Sequence, residues 1–301
     1  MNSALPRSRI IHILLTVGCA LISIAILLIL IYRERAVLLT YDWHLRWRFA
    51  LAGFSLLIVG MILAAAVWAD IMRALGSQIA FTIHLRFYVL SQLTKRLPGT
   101  VWYIAGRSYL YKQQGESVRL VTVASSLELA IAVLSGCLVT LAFAAYSLVH
   151  LSGFNWVSII VFLAIGLAVV HPTVMHWLLR RIGRVEAVDY QFRHALRWLS
   201  VYAMIWILGG VIFYLNANAV AVVDLRFLSQ IIGFWCLVGT LSVLVFFLPS
   251  NFGFTEVGLS LLLTTLLPSS LAVLIAIFSR ILILVYEIGG VLLILLLLRM
   301  F

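Results

Sequence analysis

KRLPGTVWYIAGRSYL, residues 95–110, decides how this chain folds: a Pro-Gly break flanked by Lys95, Arg96 and Arg107, set among long apolar runs. Proline removes a backbone donor and interrupts a helix. The backbone groups it frees are tolerated at membrane depth only where they are packed in protein or line a wet cavity. A similar interruption, LPSNFGFTEVGLSLLL at residues 248–263, places Pro249 and Gly253 just ahead of Glu256. Each break precedes a long apolar segment with ionisable groups, Glu128 after the first and Arg280 and Glu287 after the second. Two helix breaks with acids and bases close by point to a translocation site.

Composition sets the class. Hydrophobic residues make up 64% of the chain, charged residues 10%, and the mean hydropathy is +1.17; an average soluble domain carries about 25% charged residues. The 301 residues read as one integral membrane domain, residues 1–301, with two weakly similar halves at about 45–150 and 195–298. Cys19, Cys137 and Cys236 stand singly in apolar runs, so neither a disulfide framework nor a zinc site is indicated. The formal charge of +11 is carried almost wholly by arginine. Arginines beside apolar segments meet lipid phosphate, so the charge points to anionic lipid and not to nucleic acid.

Runs of about 20 apolar residues predict spans near 10–32, 49–69, 120–148, 156–178, 198–216, 227–248 and 271–298. The first is too long for the apolar core of a signal peptide and reads as an uncleaved anchor. Arg7, Arg9, the basic stretch from Arg73 to Arg119 and the cluster Arg180, Arg181, Arg184, Arg193 and Arg197 share one side. The positive-inside rule then puts the N-terminus in the cytoplasm, and the expected location is the cell (inner or plasma) membrane. Residues 79–94, the run after Pro98 and Gly99, and residues 254–267 are too short or too polar for simple spans. The expected fold is an all-α polytopic bundle with two re-entrant elements, hinged at Pro98, Gly99, Pro249 and Gly253, and with an inverted repeat.

An ionisable side chain at the centre of a membrane helix costs about 2.5 to 3.5 kcal/mol on insertion scales. Arg107, Glu128, Glu256, Arg280 and Glu287 are therefore candidate substrate-binding residues, with Lys95 and Arg96 beside the first break. A guanidinium binds phosphate through paired, planar hydrogen bonds, so Arg107 with Lys95 or Arg96 is expected to hold an anionic headgroup. The spacing of seven between Arg280 and Glu287 puts both on one helix face, and Arg280 has Glu128 or Glu256 as alternative partners in a purely structural ion pair. No metal-ligand spacing, P-loop, nucleophile elbow or dinucleotide fingerprint occurs, and no cofactor is expected.

The Leu97-Pro98-Gly99 break with Trp102, the Gly106-Arg107 pair with Leu110, Ser125-x-x-Glu128 and Pro249-x-x-x-Gly253-x-x-Glu256 resemble the transmembrane flippase-like family of the lysylphosphatidylglycerol synthases. That family also tends to carry polar residues where Arg280 and Glu287 stand, and the likeness runs from about residue 45 to 298. The resemblance implies a domain that moves lipids between leaflets. In two-domain synthases it accompanies a soluble aminoacyl-transferring domain, which these 301 residues do not contain, so synthase activity is not implied. Stand-alone relatives are associated with polyprenyl-linked sugars, hopanoids or other envelope lipids. The leading expectation is a non-enzymatic translocator of an anionic or polyprenyl-phosphate-linked lipid. The alternatives are an accessory subunit presenting lipid to a separate lipid-modifying or glycosyl-transferring enzyme, and a membrane lipid transferase.

Overall fold

The computed structural model describes residues 35–41, 44–94, 101–149, 191–244 and 253–300, together with residues 25, 28, 29, 32, 33 and 173. Among them there are helices and no strand. A short α1 (Arg35–Thr40) leads to α2 (Trp47–Ala74), α3 (Phe81–Thr94), α4 (Val101–Lys112), α5 (Val118–Val149), α6 (Phe192–Val220), α7 (Leu228–Leu244), α8 (Phe254–Leu263) and α9 (Ser269–Met300). Five helical stretches are long and apolar enough to cross a membrane: Trp47–Ala74, Val118–Ala144, Phe192–Val220, Leu225–Leu244 and Ser269–Arg299. The chain is a multi-pass membrane protein. The expected spans at 10–32 and 156–178 lie almost wholly outside the described residues, and Lys95, Arg96, Pro98, Gly99 and Pro249 lie outside them.

Side-chain contacts fix the register of the long helices. Gly53 of α2 faces Tyr286 of α9, Phe54 faces Gly289, and Met61 faces Gly290, so α2 and α9 run parallel. Asp70 near the end of α2 pairs with Arg197 near the start of α6, while Arg46 ahead of α2 donates its backbone N–H to the Ala219 carbonyl at the end of α6 (2.9 Å). Those two helices are therefore antiparallel.

The short helices form two hairpins at opposite depths. In the first, His84 of α3 meets Tyr111 of α4 and Ser91 meets Arg107, which sets α3 and α4 antiparallel. At 14 and 12 residues, these legs rise only about 21 and 18 Å at 1.5 Å per residue, short of a ~30 Å hydrocarbon core. They pack in a core with Trp68 and Met72 of α2, Leu120 and Leu127 of α5 and Trp198 of α6. In the second hairpin, Val238 of α7 touches Gly258 of α8, and Ile231 and Leu263 share a core with Phe213 and Ala217 of α6 and Ala272 and Ile275 of α9. This core lies at the other end of α6 and α9 from the first.

The span expected at 227–248 is helical over Leu225–Leu244 among the described residues. Thr240 lies against Gly136, close to the middle of α5, and Gly239 lies against Trp206, at the middle of α6. Leu244 is four residues further, about 6 Å along the axis. The short helix expected at 254–267 is helical over Phe254–Leu263 and closes in tight turns before Pro268.

Candidate functional site

Arg107 is the largest wholly buried charged side chain described, and its surroundings come from five helices. Its Nη1 donates to Glu128 Oε2 at 2.6 Å, the short distance characteristic of a charge-assisted bond. The Tyr202 hydroxyl of α6 donates to the other carboxylate oxygen at 2.7 Å. Arg107 Nε donates to Ser91 Oγ at 3.3 Å, and Ser91 in turn donates to the Tyr88 carbonyl at 2.7 Å. The guanidinium carbon lies 3.9 Å from the Trp68 ring centroid, 4.8 Å from that of Tyr88 and 5.3 Å from that of Tyr103. Desolvated cation–π contacts contribute about 2 kcal/mol or more. Nη2, by contrast, has no hydrogen-bond partner among the described residues.

Local structure delivers these groups. The turn after α4 closes at Gly115, whose φ of 84° suits a residue without a Cβ. Ser117 Oγ then accepts from Leu120 N–H at 3.1 Å and opens α5, so Arg107 and Glu128 meet across a tight α4–α5 corner. Behind them, Trp68 Nε1 donates to the Tyr111 hydroxyl at 2.7 Å. The same Tyr111 hydroxyl shares a hydrogen bond with His84 Nδ1, 2.6 Å away. The aromatic wall around Arg107 is thus itself held by hydrogen bonds.

Glu256 and Arg280 form a second ion pair (3.0 Å) at the other hairpin. Glu256 Oε2 also accepts from the Gly253 N–H at 2.8 Å at the start of α8, where a carboxylate complements exposed backbone donors. Of the two partners open to Arg280, the structure selects Glu256. Glu287 sits near the middle of α9 and lines a cavity with Tyr88 and Gln92 of α3. The seven expected binding residues therefore divide: Arg107 with Glu128, Arg280 with Glu256, Glu287 at the cavity, and Lys95 and Arg96 outside the described residues. One rung of about 10 Å separates Arg280 from Glu287 along α9. A longer step, about 15 Å, separates the Glu287 level from the Arg107 cage, since Met61 faces Gly290, three residues beyond Glu287, and Trp68 follows Met61 by seven.

Trp68, Tyr88, Ser91 and Tyr202 belong to the site and are absent from the sequence-based candidates. The only sequence signal for them is polar or amphipathic side chains inside or beside apolar segments, a pattern shared by interfacial belts.

No protein-family model matches the chain, and no curated protein matches it.

Proposed function

We propose that this protein carries an anionic lipid, or a lipid-linked intermediate, between membrane leaflets, as the resemblance to the flippase-like family implies. The observation that carries the reading is the buried Arg107, whose Nη2 has no hydrogen-bond partner among the described residues while its other nitrogens are engaged. A guanidinium with one nitrogen still free to donate, held at membrane depth, is prepared to bind one more acceptor oxygen. Phosphate supplies it.

Three polar stations at successive depths support movement across the bilayer: the Arg107–Glu128 cage, Glu287, and the Arg280–Glu256 pair. Two helical hairpins entering from opposite sides match the broken-helix design of transporters, in which sites lie near the midplane and the two halves rock about them. With the N-terminus cytoplasmic, the Arg107 cage faces the inner leaflet and the Arg280 pair the outer. Acyl or prenyl chains remain in lipid. Movement is then downhill or coupled to an ion gradient through a carboxylate.

The test is reconstitution of the full chain in liposomes with fluorescent phosphatidylglycerol, phosphatidylethanolamine and a polyprenyl-phosphate lipid, followed by leaflet-specific quenching. Transfer of an anionic lipid that disappears in Arg107→Ala is the expected result. Chemical conversion of a lipid, or no transfer of any, would overturn the proposal.

A further inference from the structure

Serine and threonine inside a helix commonly bond back to the carbonyl one turn earlier, which satisfies the hydroxyl proton within the same helix. On α5, Thr122, Ser126, Ser135 and Thr140 all do so, at 2.8 to 3.0 Å. Ser125 does not. It is wholly buried, yet its hydroxyl has no hydrogen-bond partner among the described residues. A buried hydroxyl in that state destabilises the fold, so packing alone does not account for it.

Its position ties it to the Arg107 site. Ser125 precedes Glu128 by three residues, which makes the two side chains neighbours on one face of α5, about 4.5 Å apart along the axis. Glu128 is bonded to Arg107 Nη1, and Arg107 Nη2 is a second buried donor without a partner among the described residues. Ser108 Oγ is unpartnered too, but it follows Arg107 by one residue, and successive residues on a helix do not share a face. One cationic and one neutral donor thus stand about a helical turn apart, both short of an acceptor. An ammonium offers none, and a halide offers a single atom. A phosphodiester offers two charged non-bridging oxygens, one for each donor.

Resting on the translocation reading, we propose that Ser125 is a phosphate ligand of the Arg107 site: one non-bridging oxygen of the transported lipid's phosphodiester accepts from Arg107 Nη2, and the other accepts from the Ser125 hydroxyl.

Binding is measured by titration calorimetry on the purified full chain in detergent, using dihexanoyl phosphatidylglycerol and glycerophosphoglycerol, the same phosphodiester without acyl chains. Ser125→Ala should weaken phosphatidylglycerol about tenfold to a hundredfold, the loss of one hydrogen bond to a charged group. Without lipid it should melt no lower than wild type, because the hydroxyl it removes has no partner to lose. Ser125→Cys keeps nearly the same shape with only a weak donor, so it should bind as poorly as Ser125→Ala. Ser135→Ala is the converse case: it loses the bond to the Ile131 carbonyl and should melt lower while binding the lipid as wild type does. Weakening of both ligands by Ser125→Ala assigns the donor pair to the phosphodiester itself, and weakening of the lipid alone assigns it to a phosphate presented from the bilayer. Unchanged phosphatidylglycerol affinity in Ser125→Ala, wild-type affinity in Ser125→Cys, or a lipid-free Ser125→Ala that melts lower or does not fold overturns the assignment. Leaflet transfer measured in parallel separates the two readings. Wild-type transfer with full lipid affinity in Ser125→Ala removes only Ser125, and Ser125-dependent binding without any wild-type transfer removes only translocation.

Discussion

Arg107 donates to Glu128 across 2.6 Å with the guanidinium wholly buried, so each charge serves as the other's solvent. Two consequences follow from that dependence, one for stability and one for transport.

Removing one partner of a buried pair costs about 3 to 5 kcal/mol, because the remaining charge is stranded, whereas replacing both with apolar groups is often neutral. Glu128→Gln should therefore lower the melting temperature sharply, and Arg107→Leu combined with Glu128→Leu should recover most of the loss. Lipid transfer should be absent from both proteins. Thermal melts in detergent beside a liposome transfer assay read the two effects, and transfer by the double variant would reduce the pair to a packing device.

Arg107→Lys tests geometry with the charge retained. An ammonium can approach Glu128, but it cannot bond Ser91, stack flat on Trp68 and keep a further planar donor free at the same time. Partial recovery of stability relative to Arg107→Ala, with transfer still well below wild type, is the expected pattern. Full transfer would show that charge alone suffices.

Tyr202→Phe removes the bond to the Glu128 carboxylate, together with the hydroxyl's contact with Tyr88. A hydrogen bond to a charged group contributes about 1.5 to 3 kcal/mol. The variant should be destabilised within that range, less than Glu128→Gln. A loss equal to that of Glu128→Gln would mean that Tyr202 holds the whole cage in place.

Much of this was legible in the sequence, and the reasons are specific. Arg107, Glu128, Glu256, Arg280 and Glu287 stand out because charge within apolar helices is costly wherever it occurs. Their partners do not, because pairing depends on which helices meet: Arg280 had two eligible acids, and only the α8–α9 contact selects Glu256. The aromatic cage was hidden by composition, since Trp68 and Tyr202 read as ordinary members of apolar spans. The cavity lined by Gly60 and Glu287 was hidden for the opposite reason. It is created by what Gly60 lacks, and a glycine in a membrane helix reads equally well as a close-packing residue.

Close packing does account for Gly210. A Cβ at that position would lie 2.6 Å from the Ile232 Cα, a backbone atom that cannot swing aside. Gly210→Leu should push α7 from α6 and destabilise the bundle by more than the roughly 1 to 3 kcal/mol of an ordinary overpacked site. Gly60→Leu, on the same type of helix but facing open space, is the control. Similar melting temperatures for the two variants would contradict the packing assigned to both.

The opposed hairpins make a prediction about sidedness that needs no ligand. The exposed Gln114 lies in the α4–α5 turn, at the end of the bundle where α2 finishes and α6 begins. Thr265, also exposed, lies in the α8–α9 turn, at the end where α2 begins, since α2 and α9 run parallel. Cysteines placed at these two positions should therefore label from opposite sides of the membrane. With the N-terminus in the cytoplasm, Thr265→Cys reacts with an impermeant maleimide in intact cells, and Gln114→Cys reacts only after the membrane is permeabilised. Reversed labelling would keep the architecture and invert the chain in the membrane. Labelling of both from one side would mean that the hairpins do not enter from opposite faces, and the alternating path from Arg107 through Glu287 to Arg280 would lose its physical basis.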